Sequence, residues 1–255
     1  MSSMEKQPPV ILLLLAVLQP LSGALAPLLG VGTPIGNATR DLGAPEQPLP
    51  VFFAIWSLIF LAYFVFSLFA VFRREPWMDR ITPALIMAGM LNVIWMLSAQ
   101  LIVSQPLDFA LLFPIAAAAW FAAYRFDRTR GMGGSPAKLV ADMATGLLSG
   151  WITVAVAISI PLTIRHFTTL GATDFPWQML WATLVPAALA AWAFTRFVSR
   201  SPWFFVSLAW GLVGILLNNW TVTGMTWLAI VTGALTILIL YLRLTRGAQG
   251  ARSLA

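Results

Sequence analysis

Apolar runs of about twenty residues recur along the whole chain, separated by short joints that are polar or contain proline and glycine. A run of this length crosses a hydrocarbon core of about 30 Å as a helix. The pattern therefore predicts an all-α, polytopic membrane helix bundle with about eight transmembrane helices, the last two readable as a tight hairpin. The predicted spans are 9–32, 50–72, 81–103, 106–124, 138–164, 177–197, 203–218 and 222–242.

The distribution of basic residues gives a second, independent prediction of topology. With eight alternating spans, thirteen Lys and Arg residues fall on the side of both termini. Only Arg40 and Arg165 fall on the opposite side. Because Lys and Arg are enriched in cytoplasmic loops, we expect the N- and C-termini to be cytoplasmic.

The first apolar run has an alternative interpretation as a cleaved signal peptide. Lys6, the apolar stretch 10–18 and the small residues Ala24 and Ala26 resemble such a signal. Apolar character continues to Val31, which favours a retained first helix.

Composition excludes several classes of function. Hydrophobic residues make up 60% of the chain and charged residues 9%, and cysteine is absent, so thiolate chemistry and cysteine-ligated metals are excluded. A net charge of +6 would suggest a nucleic-acid partner in a soluble protein. Here membrane topology accounts for the basic residues, and we expect the lipid bilayer as partner and no nucleic acid.

The predicted spans also lack the groups that membrane catalysis and proton relays use. The nine acidic residues fall in loops or in the first turn of a helix, and Lys6 and Lys138 are interfacial. The only histidine, His166, lies at the outer end of the fifth span. No phosphate-binding loop, zinc helix or nucleophile motif is present in the sequence. We therefore expect no enzyme, no catalytic residue and no metal site.

Tryptophan and neutral polar residues recur at helical spacing inside the spans. Asn92 and Trp95 lie on one face of the third helix, and Trp151, Ala155 and Ser159 form a stripe on the fifth. One interpretation is helix packing, with an interhelical hydrogen bond from Asn92. The other is a cavity wall that suits a flat, largely apolar ligand.

Three segments carry a resemblance to a known family. Residues 48–56, which end at Trp56, the element from Asn92 to Trp95, and Gly150-Trp151 followed by Ala155 resemble the TspO/MBR family of tryptophan-rich sensory proteins. That family includes the mitochondrial translocator protein. The resemblance implies a five-helix bundle in residues 1–165, with a three-helix membrane extension in residues 166–255. It also implies a pocket for porphyrins and other hydrophobic ligands, closed by the loop 33–49.

The resemblance implies a set of ligand-binding residues, with some departures from the family pattern. Ser159 stands where the family has an Asn, Phe60 where it has a Tyr, and Leu147-Leu148 where it has Pro-Tyr. These changes remove polar groups that a porphyrin site would use. The implied site residues are Trp56, Asn92, Trp95, Trp151, Ala155 and Ser159.

The function predicted on this basis is binding of a tetrapyrrole-, sterol- or isoprenoid-like ligand, in a sensory or transport role. The resemblance to long bacterial members implies the bacterial cytoplasmic membrane, with porphyrin or haem as ligand. A structural or assembly subunit of a larger membrane complex is the alternative. Small-residue stripes at Gly146 and Gly150 and at Ala84 and Ala88 fit either a homodimer or packing within one chain.

Overall fold

A computed structural model describes residues 7–35, 44–129 and 135–252. Residues 7, 242 and 244–252 are described as backbone only. The described residues form helices and connections, with no strand among them. The α-helices are α1 Gln7–Gly23, α2 Leu25–Leu29, α3 Ile55–Phe72, α4 Met78–Leu101, α5 Gln105–Asp127, α6 Pro136–His166, α7 Pro176–Ala193, α8 Pro202–Thr221 and α9 Thr226–Arg252. A 3-10 turn, Pro50–Ala54, leads into α3, and a π-helical turn, Phe194–Val198, follows α7.

Six segments in the described part of the chain are long and apolar enough to cross a membrane. They contain α3 to α8, and two shorter apolar helices, Pro8–Gly23 and Thr226–Tyr241, flank them in sequence. The prediction of an all-α polytopic membrane bundle is confirmed. That α1 and α9 also cross the membrane, which would give eight transmembrane helices, stays a prediction.

The first predicted span, 9–32, is divided into two helices. Proline has no backbone N–H, and its ring collides with the carbonyl four residues earlier, which for Pro27 is that of Gly23. The helix accordingly ends at Gly23 and resumes at Leu25. The side-chain amide of Gln100 enters the gap in the helical ladder: its Oε1 accepts from Ala26 N at 2.8 Å, and its Nε2 donates to Ser22 O at 2.7 Å. These bonds satisfy backbone groups that lipid would leave unpaired.

Five helices form a closed ring, in the order α1, α3, α6, α5, α4 and back to α1. Two apolar clusters fill the ring, one around Trp151 and Leu148 and the other around Phe66 and Ile81. Outside the ring, α7 and α8 pack on α6, and α9 returns along α8 as the second arm of a hairpin. Helix α6 therefore has neighbours on both sides and is the most buried of the six long segments.

Both small-residue stripes pack within the chain, since Gly146 and Gly150 meet α8 and Ala84 and Ala88 are buried next to Gly89. A Cβ added at Gly146 would lie 2.8 Å from Trp203 Cβ, and one added at Gly150 would lie 2.8 Å from Ser207 Cβ, so these glycines allow α8 to approach α6 closely. On α4, a Cβ added at Gly89 would lie 2.7 Å from the hydroxyl of Tyr63, inside the ring. These contacts fit the prediction of internal packing, and a homodimer stays a prediction.

Candidate ligand cavity

A cavity of about 170 Å³ lies inside the ring, between the start of α3, the end of α4, the start of α5 and the end of α6. All four of these helix ends lie at one end of the bundle, which is the end that the sequence predicts to be extracytoplasmic. The lining residues are Ile35, Phe53, Trp56, Trp95, Ala99, Val103, Gln105, Asp108, Leu112, Trp151, Ala155, Ile158, Ser159, Leu162 and His166.

Aromatic rings form the floor and walls of the cavity. Trp56 stacks on Trp95 with ring centroids 6.1 Å apart and meets Trp151 edge to face at 6.5 Å. Phe53 also meets Trp151 edge to face, at 5.6 Å. Offset stacking and edge-to-face contacts stabilise aromatic groups, so the rings hold one another in position. The result is a set of flat apolar surfaces presented by three different helices.

The stripe predicted on the fifth span forms one wall of this cavity. Trp151, Ala155 and Ser159 occupy successive turns of α6 and all line it. The methyl group of Ala155 leaves space beside the Trp151 ring, and Ser159 places a hydroxyl nearer the end of the helix. With Trp56 and Trp95, five of the six predicted site residues line one cavity.

Asn92, the sixth predicted residue, lies elsewhere. It is fully buried one turn before Trp95, and its Nδ2 donates to Gln19 Oε1 in α1 at 3.0 Å. Gln19 in turn donates to Leu15 O. This is the interhelical hydrogen bond that one interpretation of the sequence predicted. Asn92 therefore ties α4 to α1 and is not among the residues that line the cavity.

Polar residues at the start of α5 and the end of α6 were missed by the sequence analysis. Gln105, Asp108 and His166 all line the cavity. Asp108 accepts a hydrogen bond from Ser98 Oγ at 3.1 Å, and Gln105 donates to Thr163 Oγ1 at 3.4 Å. The order of the helices could have revealed them, because antiparallel packing of successive helices brings the start of α5 beside the ends of α4 and α6. No group of three His, Asp or Glu residues suited to a metal ion occurs in the described ranges.

One polar atom of the aromatic wall lacks a partner. Trp95 Nε1 is buried and has no hydrogen-bond acceptor in the part of the chain that the structure describes. Buried indole N–H groups usually find an acceptor. This donor belongs to a residue that lines the cavity, so an acceptor on a bound molecule is a natural partner for it.

The first part of the outer loop is attached to α4. Thr33 N donates to Gln100 O at 2.8 Å, and Ile35 lines the cavity. Residues 36–43 of the predicted lid, 33–49, lie outside the described residues.

The second part of the loop is held by α8. Asn218 Nδ2 donates to Ala44 O at 3.0 Å, and Asn219 Nδ2 donates to Pro45 O at 2.6 Å. Leu49 N donates to Gly214 O at 3.1 Å. Glu46, between these points, forms a buried ion pair with Arg165 at the end of α6. The segment that leads into Phe53 of the 3-10 turn and Trp56 of α3 is thus held by α8, which lies outside the ring, and by the end of α6.

Comparison with known protein families matches residues 10–244 to the family described as TSPO-like protein. The chain belongs to the TSPO-like family. This result confirms the resemblance to the TspO/MBR proteins and indicates a membrane protein that binds a ligand. The TSPO-like match continues beyond residue 165 through α7 and α8 into α9, and the division of the chain at residue 165 stays a prediction. Neither the curated proteins nor the solved structures contain a match to the chain.

Proposed function

We propose that this protein binds a flat, mostly apolar ligand in the cavity of the five-helix ring. The observation that carries the proposal is the convergence of Trp56, Trp95 and Trp151 on one cavity, beside the space left by Ala155. Apolar and aromatic walls with a few polar groups are typical of small-molecule sites. We infer a binding protein of the bacterial cytoplasmic membrane, with a sensory or transport role and no catalytic chemistry.

The polar groups of the cavity support a ligand with one polar end. Asp108, His166 and Gln105 lie at the same end of the bundle as the outer loop, whereas Trp95 and Trp151 lie further from the ends of their helices. A ligand whose apolar plane lies against the indoles would direct its polar end toward these residues. The indole N–H of Trp95 supports an acceptor at the edge of that plane.

Cavity size bears on the choice among tetrapyrrole, sterol and isoprenoid. Pockets for drug-sized ligands enclose about 300 to 1,000 Å³. The cavity of about 170 Å³ is smaller than that range, so a whole porphyrin or haem requires the cavity to widen. The dimensions favour a smaller planar molecule, or the insertion of one edge of a larger one.

The test is a titration of the detergent-purified protein with two planar probes, 1-aminoanthracene and protoporphyrin IX. Binding is followed by probe fluorescence with correction for inner-filter effects. We expect saturable binding of 1-aminoanthracene that weakens by about tenfold in Trp95→Leu and Trp151→Leu, since burial of one large apolar side chain contributes about 1.5 to 3 kcal/mol. Ala155→Phe, which fills the cavity, should abolish binding. Trp227→Leu is the matched control, because Trp227 is exposed and lines no part of the cavity.

The outcomes separate the candidate functions. Binding that is equal in all variants would show that the probes partition into detergent or lipid, and would contradict the proposal. Failure of both probes, with stable co-purification of other membrane proteins, would favour the structural or assembly subunit. A transport role predicts in addition that the bound probe crosses proteoliposome membranes and that Ala155→Phe stops the flux.

A further inference from the structure

A second cavity, of about 710 Å³, opens at the opposite end of the bundle. The first cavity includes Asp108 at the start of α5, whereas this one includes Asp127 at its end. Its walls come from α5, α7 with the π-helical turn, the start of α8, and α9. The lining residues are Tyr124, Asp127, Arg128, Ala188, Ala191, Trp192, Thr195, Arg196, Phe197, Val198, Ser199, Arg200, Phe205, Ile239 and Arg243.

Four arginines from four segments converge on this cavity. Arg128 follows α5, Arg196 lies in the π-helical turn, Arg200 precedes α8, and Arg243 lies in α9. Asp127 is the only carboxylate in the lining, so the described walls carry a formal charge of 4 − 1 = +3. The guanidinium group presents a planar set of donors that matches the oxygens of a phosphate.

Direct contacts hold two of these arginines and the carboxylate in place. The Arg128 guanidinium lies over the Tyr124 ring at 4.3 Å. The Arg243 guanidinium lies over the Phe205 ring at 5.2 Å and donates to Arg200 O. Asp127 Oδ1 accepts from Ser199 Oγ at 3.1 Å and from Arg200 N at 3.2 Å. The basic rim is therefore tied to the ends of its helices.

The π-helical turn shapes one wall of the cavity. Ser199 N donates to Phe194 O at 2.9 Å, the five-residue spacing of a π turn. The turn widens the helix where α7 ends and brings the residues 195–198 to the cavity. Single π turns in helical proteins occur frequently at functional sites.

The other half of the lining is apolar. Ala188, Trp192, Phe197 and Ile239 continue the cavity along the flank of the bundle. Trp192 and Phe197 are each 62% exposed, on helices that the sequence places within the membrane. A site with a basic rim and an apolar, lipid-accessible wall matches an amphiphile that carries a negative charge at its head.

We propose that this cavity binds the phosphate head group of an anionic phospholipid, with an acyl chain along Trp192 and Phe197. Membrane topology alone requires basic residues in cytoplasmic loops, but it does not require that they line one cavity with apolar walls. Basic pockets between transmembrane helices on the cytoplasmic side bind phosphate-bearing lipid head groups. The site is separate from the ring cavity and from the ligand proposed there.

The test measures the affinity of the full chain for phosphatidylglycerol and phosphatidylcholine by native mass spectrometry from detergent. We expect phosphatidylglycerol to be retained and phosphatidylcholine to be lost. Arg128→Gln with Arg196→Gln should weaken phosphatidylglycerol binding by about tenfold or more, because each removes a charge-assisted hydrogen-bond donor. Arg73→Gln with Arg80→Gln is the matched control, since Arg80 lies beside the end of α5 and both residues lie outside the cavity.

Three further results decide the proposal. Ala188→Phe fills the apolar wall without a change in charge, so loss of phosphatidylglycerol binding in this variant supports a lipid in the cavity. Equal losses in the two double variants would show general attraction to a basic surface and would overturn the proposal. If glycerol 3-phosphate or inorganic phosphate competes with an affinity equal to that of the lipid, the cavity is a site for a soluble anion and the proposal is overturned.

Discussion

The guanidinium of Arg165, at the end of α6, donates a hydrogen bond to the carboxylate of Glu46, which lies shortly before the 3-10 turn that leads into α3. Their side chains are 4% and 0% exposed. Arg165 also donates to Gly171 O at 3.1 Å and to Ala172 O at 2.9 Å. One arginine thus joins the outer loop, the end of α6 and the connection to α7. The pair also gives a reason for the presence of Arg165 on the predicted extracytoplasmic side, where the positive-inside pattern leaves few basic residues.

Glu46→Gln should destabilise the protein strongly. Removal of one partner from a buried ion pair leaves an uncompensated charge, at a cost of about 3 to 5 kcal/mol. Asp79→Asn should change stability by about 1 kcal/mol at most, because Asp79 pairs with Arg74 at 2.9 Å on the surface. Thermal unfolding in detergent measures both. In a cycle with Arg165→Gln, we expect the double variant to lose less than the sum of the single losses, and additive losses would contradict the coupling.

Asn218→Ala should loosen the loop while the ring stays intact. The substitution removes the side-chain donor to Ala44 O, which keeps only its bond from Gln47 N, and the loss of one such hydrogen bond costs about 0.5 to 1.5 kcal/mol. Hydrogen exchange at the amides of Gln47 and Leu49 should accelerate. The first donates to Ala44 O inside the loop, and the second donates to Gly214 O of α8. Thr221→Ala is the control, because its hydroxyl bonds only to Leu217 O on its own helix. Unchanged protection at Leu49 would mean that α8 does not hold the loop.

Gly150→Ala should separate α8 from α6. The new methyl group would meet the backbone of Phe204 and lie 2.8 Å from Ser207 Cβ, and overpacking of this kind costs about 1 to 3 kcal/mol. In Gly171→Ala the nearest atom, Asp174 Oδ2, would be 3.6 Å away, so this control should fold normally. The comparison is a measurement of melting temperature for both variants. A tolerated Gly150→Ala would show that the helices can slide apart without loss.

Gln100→Leu tests the break between α1 and α2. The variant leaves Ala26 N and Ser22 O without the side-chain amide that joins them. Interhelical hydrogen bonds in membrane proteins contribute about 0.6 to 1.7 kcal/mol, and we expect a loss at the upper part of that range. Gln178→Leu, at an exposed position near the start of α7, should have little effect. Chemical unfolding in mixed micelles would distinguish them, and equal stabilities would contradict the role of Gln100.

Sequence periodicity predicted much of this fold because membrane helices satisfy their own backbone and leave long apolar runs. Helical spacing put Trp151, Ala155 and Ser159 on one stripe, and all three line one cavity, whereas a ligand-binding role for them stays a prediction. Asn92 could not be placed from spacing alone, because Trp95, one turn away, faces the cavity whereas Asn92 meets Gln19 of another helix. The burial of Glu46 was likewise hidden, since its partner is 119 positions away in the sequence.

The attachment of the outer loop to α8 has a consequence for biosynthesis. Ala44, Pro45 and Leu49 receive their partners only when residues 214–219 have entered the membrane. A nascent chain that ends at α6 already contains every tryptophan of the ring cavity and the Arg165 partner of Glu46, but it lacks the bonds from α8 to Ala44, Pro45 and Leu49. The attachment of the loop is therefore completed late in translation, and a premature stop after α6 would yield a ring whose loop, in its described part, is held only through Thr33 and Glu46.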